Sequence, residues 1–204
     1  MNAPVVYLAS KSPRREELLR QLGIDFTSLW LREAPARERD IVEGARDEEP
    51  ALHYVERIAR TKATIGWQRM LQRRLPPRPV LGADTEVVLD GVIFGKPKDA
   101  PDAARMLSLL SARTHQVLTA VALCWEDRLV AEISTTAVTF REIAPDEIER
   151  YVAAGEPFDK AGAYAVQGRA ASFVSRIEGS YSGVMGLPLY ETALALAAVG
   201  FPVL

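Results

Sequence analysis

The stretch Val5-Val6-Tyr7-Leu8-Ala9-Ser10-Lys11-Ser12-Pro13-Arg14-Arg15-Glu16-Glu17-Leu18-Leu19-Arg20-Gln21-Leu22-Gly23 reads as strand, tight loop and helix in immediate succession. Residues 5–9 are an apolar run with β-branched and aromatic side chains, and Leu18, Leu19 and Leu22 then recur at helical spacing. Ser12 suits the N-cap. Pro13 suits the first helical position, where its missing N–H costs nothing, and Gly23 suits the left-handed turn that ends a helix.

Outward from this unit, residues 32–50 are dense in charge and poor in large apolar side chains, which predicts an exposed connection, a lid or an insertion. Leu52, Val55, Ile58, Ala59 and Ile65 predict a helix from 51 to about 74, stopped by Pro76-Pro77. Lys62, seven residues after Val55, falls on its apolar stripe. Residues 80–89 and 92–94 read as a hairpin about Asp90-Gly91, with Asp84 inside the first strand. Gly95-Lys96-Pro97 ends it, and Ala103, Met106, Leu107 and Leu110 mark a helix after Pro101.

Residues 114–125 and 129–141 predict two longer strands around Glu126-Asp127-Arg128. A helix over 145–154 follows, with Asp146 and Glu147 where negative charge suits the helix dipole. Within 158–186, glycines alternate with short apolar runs. Residues 170–177 are the clearest strand there, and no regular helix is expected before a last one over 192–199, capped by Gly200. This mixture predicts an α/β fold with a long sheet, residues 1–204 forming one domain of two lobes.

Composition removes several function classes. Lysine and arginine number 25 against 27 acidic residues, a net charge of −2, so no overall attraction to nucleic acid is expected. The single cysteine, Cys124, lies in an apolar run and excludes an intrachain disulfide or a thiolate zinc site. No leader pattern or bilayer-length apolar stretch is found, so the cytoplasm is the expected address, with no membrane partner. His53 and His115 lack a metal-type spacing, and no P-loop, dinucleotide fingerprint or nucleophile elbow occurs.

Three features point to chemistry. Arg14 and Arg15 stand in the first turn of a helix, where the dipole disfavours cations; a bound polyphosphate would offset that, together with the hydroxyls of Ser10 and Ser12, and simple solvation is the alternative. Lys62 aims an ammonium at the core unless it is paired or snorkels outward. Asp84, beside Thr85 in an apolar strand, wants a cation: coordination of a divalent metal or activation of a water would satisfy it, and a buried ion pair or a strand-end turn is the alternative. Lys96, just past the hairpin, is a further phosphate partner.

These residues lie in segments that together carry a resemblance. Leu8-Ala9-Ser10-Lys11-Ser12-Pro13-Arg14-Arg15, Gly82-Ala83-Asp84-Thr85, Gly95-Lys96-Pro97, the run from Asp159-Lys160-Ala161-Gly162 to Gln167-Gly168, Gly179-Ser180-Tyr181 and Val184-Met185-Gly186-Leu187-Pro188-Leu189 resemble, in order, the Maf family of nucleoside triphosphate pyrophosphatases. The resemblance implies a two-lobed α/β fold with a central cleft, shared with the inosine triphosphate pyrophosphatases, and commonly a homodimer. It implies release of pyrophosphate from a nucleoside triphosphate with a divalent cation, Mg²⁺ or Mn²⁺.

Carried over by motif, Asp84 is the catalytic carboxylate and a metal ligand. Ser10, Arg14, Arg15, Lys62 and Lys96 line the triphosphate site, with Lys160 a further candidate, and Thr85 and Gln167 contribute to substrate choice. An acidic residue after the first helix is a further implied metal ligand; Glu33 is the best match and Glu38 its rival. The family's Ser-Gly-Arg and Gly-Ile-Gln are Ser111-Ala112-Arg113 and Ala165-Val166-Gln167 in this chain. Arg14, Thr85 and Gln167 follow the branch associated with dTTP and UTP. An inosine- or xanthosine-type pyrophosphatase and a nucleotide-binding regulator of cell division are the competing expectations.

Overall fold

The computed structural model describes residues 5–31, 49–201 and 203. Strand β1 (Val5–Leu8), helix α1 (Pro13–Gln21) and the short strand β2 (Asp25–Ser28) open the chain, followed by the long helix α2 (Ala51–Gln72). The hairpin β3 (Val80–Leu89) and β4 (Val92–Phe94), helix α3 (Ala100–Leu110), the strands β5 (Thr114–Trp125) and β6 (Arg128–Phe140), and helix α4 (Pro145–Ala153) match the predicted elements to within a residue or two. The chain ends in β7 (Val174–Glu178), α5 (Tyr181–Met185) and α6 (Leu189–Ala198).

All 7 strands form one mixed sheet, ordered β2-β1-β3-β5-β6-β7, with β4 paired to β3. β1 runs parallel to β2 and β3, and the other pairings are antiparallel.

Alternation along β3 assigns its faces. Leu81 and Ala83 pack with Leu18 and Leu19 of α1 and Leu196 of α6. Farther along the same face, Val87 and Leu89 join Leu107, Phe140, Tyr151 and Phe173 in a second core. Thr85 stands between them, and Thr119 of β5 is its register partner. Both strands thus turn polar at one level, and the apolar core divides there. The opposite face of the sheet is covered by Val55, Ala59 and Ala63 of α2. A Cβ at Gly82 would stand 2.6 Å from the carbonyl oxygen of Ala59 and from the amide nitrogen of Ala63, so only glycine lets helix and strand approach this closely.

Several local expectations are corrected. Leu52 is 43% exposed, and Tyr54 takes the inward place at the start of α2. Ser12 occupies the N-cap of α1 but its side chain caps nothing; instead its N–H donates to Ser10 Oγ at 3.2 Å. The strand β2 was not expected, because its four residues alternate between exposed and half-buried and carry only one large apolar side chain. Residues Arg169–Phe173 coil into a 3₁₀ turn that buries Ala170 and Phe173, and the strand starts only at Val174. The short helix α5 also lies where no helix was expected. Ser180 Oγ caps it by accepting from the Gly183 N–H, and Gly186, at φ +119, ends it.

Candidate active site

Where the core divides, a cleft of about 830 Å³ opens. Ser10, Arg14, Arg15, Lys62, Asp84, Thr85, Lys96, Lys160 and Gln167 all line it. Glu33 and Glu38, with residues 32–48 of the charged segment, lie outside the described residues. A second hollow of about 480 Å³ along α2 holds none of the candidates.

Arg15 is held in the cleft by three hydrogen bonds. Its Nε donates to the Gly186 carbonyl at 2.8 Å, one terminal nitrogen to Ser10 Oγ at 3.2 Å and the other to Thr85 Oγ1 at 3.3 Å. The Thr85 hydroxyl also lies 3.1 Å from that of Thr119, which donates to the Gly183 carbonyl at 2.8 Å. The loop after β1, the polar level of the sheet and the C-terminal end of α5 are thereby joined through one guanidinium. Arg14, its neighbour, pairs with Asp159 at 3.7 Å across the cleft. Neither arginine is merely solvated.

Lys62 meets Asp84 on the α2 side of β3, Nζ to Oδ1 at 2.8 Å, with both side chains largely buried at 13% and 10% exposure. Of the alternatives left open for each residue, a buried ion pair is the arrangement present. Removing one partner of such a pair strands the other charge and costs about 3–5 kcal/mol.

Glu86, which sequence reasoning missed, shares the Asp84 face of β3 two residues on and also lines the cleft. Its signal was the same one that drew attention to Asp84: an acid inside an otherwise apolar strand. Among the described residues no cluster of three or more His, Cys, Asp or Glu side chains could hold a metal. Two adjacent carboxylates are nonetheless the hard oxygen donors that Mg²⁺ or Mn²⁺ takes from a protein when phosphates and waters complete its shell. The donor set fits such an ion.

On the facing side, Lys160 Nζ donates to the Glu156 carbonyl and to Asp159 Oδ1, both at 2.8 Å. Gln167 is exposed at the cleft edge, and Lys96 is exposed after the hairpin. Behind Gln167, Tyr164 and His115 share a buried hydrogen bond of 2.9 Å. Burial drives the His115 pKa down to about 4 and pushes the Tyr164 hydroxyl well above its ordinary value. Burial likewise raises the Cys124 thiol, in keeping with an inert core residue. Among the described residues no helix is long and apolar enough to cross a membrane.

The model of the Maf-like protein family matches residues 5–199. A dTTP/UTP pyrophosphatase of Nitrosomonas europaea is 53% identical over 198 residues, covering 97% of this chain and 96% of that one. The enzyme of the same description from Aromatoleum aromaticum is 54% identical over 198 residues, again covering 97% and 96%. Among solved structures, the Staphylococcus aureus Ham1 protein is similar at a TM-score of 0.41 and 14% identity, over 69% of this chain and 72% of that one. The motifs that line the cleft fall within the matched span, and the chain belongs to the Maf family.

Proposed function

We propose that this chain hydrolyses nucleoside triphosphates, dTTP and UTP foremost, to the monophosphate and pyrophosphate. The carrying observation is that Arg14, Arg15, Lys62, Lys96 and Lys160 line the same cleft as the carboxylates Asp84 and Glu86. Relatives about 50% identical over nearly the whole chain bear the name dTTP/UTP pyrophosphatase.

A triphosphate brings about four negative charges, and its cleavage depends on positioning and on stabilising charge rather than on covalent chemistry. Water attacks the α-phosphorus, the bond from that phosphorus to the bridging oxygen breaks, and pyrophosphate leaves. Arg15 is pre-aimed by three hydrogen bonds, so little freedom is lost when it meets a phosphate. Asp84, paired with the Lys62 ammonium at 2.8 Å, is placed to accept the water's proton or to hold a cation. Asp84 and Glu86, with Glu33 a further candidate, would hold a divalent ion, which would supply Lewis-acid stabilisation of the developing charge.

Base choice falls to Gln167, whose amide offers both an acceptor and donors to the imide edge of thymine or uracil. Thr85 and Arg14 shape the same pocket. Residues 1–204 are taken as one domain of two lobes, since a single sheet runs through both cores. A homodimer rests on the family resemblance, and light scattering tests the assembly.

The decisive experiment measures kcat/KM for dTTP, UTP, CTP, GTP and ITP with Mg²⁺ or Mn²⁺, reading pyrophosphate release. The two pyrimidines with an imide edge should lead. A clear preference for a purine overturns the base assignment, and no pyrophosphate from any of them overturns the activity.

A further inference from the structure

The turn that carries Gln167 is closed by the Gly168 N–H donating to the Ala165 carbonyl at 3.0 Å. That bond fixes the turn's shape but not its place against the cleft. The place is set by a residue outside both the turn and the cleft lining. Glu156 follows the C-terminus of α4, one residue after Gly155 at φ +78, and its carboxylate folds back on the chain. Oε2 accepts from the Arg169 N–H at 3.1 Å, and Oε1 accepts from the Ala170 N–H at 3.4 Å and from the Tyr151 hydroxyl at 3.1 Å. One charged group thus staples the last turn of α4 to the backbone immediately after Gln167. Hydrogen bonds to an ionised acceptor are about twice as strong as neutral ones.

Gly168 makes the fit specific. A Cβ there would stand 2.3 Å from Oε1 and 2.6 Å from Cδ of Glu156, so the carboxylate fills the space a side chain would need. The φ of Gly168 is −105°, which any residue can adopt; glycine is required by the carboxylate and not by the backbone.

We propose that Glu156 is the positioning residue of the base-selecting turn, setting how sharply the enzyme separates dTTP and UTP from other triphosphates. This rests on the assignment of Gln167 to the base. Discrimination by hydrogen bonding requires the amide to meet the base at one place, and a displacement of about 1 Å costs up to a hundredfold. The phosphate-side cations on α1 and α2 make no contact with the Glu156 side chain. Lys160 uses only its backbone carbonyl, which truncation leaves in place. The loss therefore falls on base choice.

The test is the ratio of kcat/KM for dTTP over CTP in the full-length chain and its variants, with Tm measured alongside. Glu156→Ala should lower the ratio about tenfold, with most of the change on dTTP. Glu156→Gln should fall between, because the amide keeps one acceptor oxygen. Gly168→Ala, which displaces the carboxylate, should resemble Glu156→Ala, and adding it to Glu156→Ala should change little more, since the new Cβ then has room. If Glu156→Ala does not fold, Glu156→Gln and Gly168→Ala carry the test.

A lowered Tm with dTTP and CTP turnover falling in parallel would mean a purely structural role and overturn the proposal. So would Gln167→Ala lowering the ratio while the Glu156 and Gly168 variants stay within about twofold of the parent protein. A ratio untouched by Gln167→Ala would instead defeat the base assignment, and the proposal with it.

Discussion

One wall of the cleft carries its cations on regular elements, Arg14 and Arg15 on α1 and Lys62 on α2. The facing wall presents Lys160 and Gln167 from a stretch between α4 and α6 in which no element exceeds five residues. On the first wall a side chain is placed by the packing of a helix on a sheet. On the second it is placed by hydrogen bonds to backbone groups, as in the Lys160 ammonium donating to the Glu156 carbonyl and the Glu156 carboxylate accepting from the Arg169 N–H. Changes at Arg15 and Lys62 on the first wall should therefore remove charge and depress every substrate alike, while changes at Gln167 and its support on the second should alter shape and depress substrates unequally.

Asp84→Asn probes this difference hardest. It removes one charge at nearly constant volume, and turnover should fall by at least about a hundredfold for every triphosphate, with the fold intact by circular dichroism. Pyrophosphate release within about tenfold of the parent protein would remove Asp84 from the chemistry.

Lys62→Ala comes next. It leaves Asp84 buried without its ammonium and removes a phosphate partner, so kcat/KM should drop roughly 10- to 100-fold, again for all bases alike. A lowered Tm with unchanged kinetics would restrict Lys62 to a packing role. A drop confined to pyrimidine substrates would break the division between the walls.

The smallest effect on turnover is expected behind the second wall, at His115, where the consequence is one of stability. Its pKa is lowered from 6.5 to about 4 by burial, so the unfolded chain takes up a proton before the folded one does. The stability of the folded state is then fully present above pH 6.5 and lost as the pH falls toward 4, by on the order of 3 kcal/mol. His115→Gln should flatten that part of the Tm-against-pH curve. A curve of unchanged slope would show that acid sensitivity arises elsewhere.

The same contrast explains what could be read from the sequence. The strand-loop-helix at the start, the hairpin around Asp90 and the two long strands were legible because each combines a periodic apolar pattern with its own turn residues. Asp84 and Lys62 stood out because a charge on an apolar stripe is conspicuous, although spacing alone did not reveal that they pair. The region after α4 was not legible. α5 is five residues long, less than two full turns, too short to display a period, and its boundaries are carried by Ser180 and Gly186 alone. Glu156 gave no signal, because a carboxylate that accepts backbone N–H groups from residues 169 and 170 looks in sequence like any surface acid. Glu86 could have been found by the rule that found Asp84.

Gly82 has a mechanical consequence. With α2 resting on the bare backbone of β3 at Gly82, the spacing of helix and strand at that point is set by main-chain atoms, with no side chain on the strand to act as a compressible spacer. The Lys62–Asp84 side of the cleft is therefore an anvil. Any narrowing of the cleft around a nucleotide must be made by the opposite jaw, and a pair of distance probes, one on α2 and one on β3, should report the same separation with and without substrate.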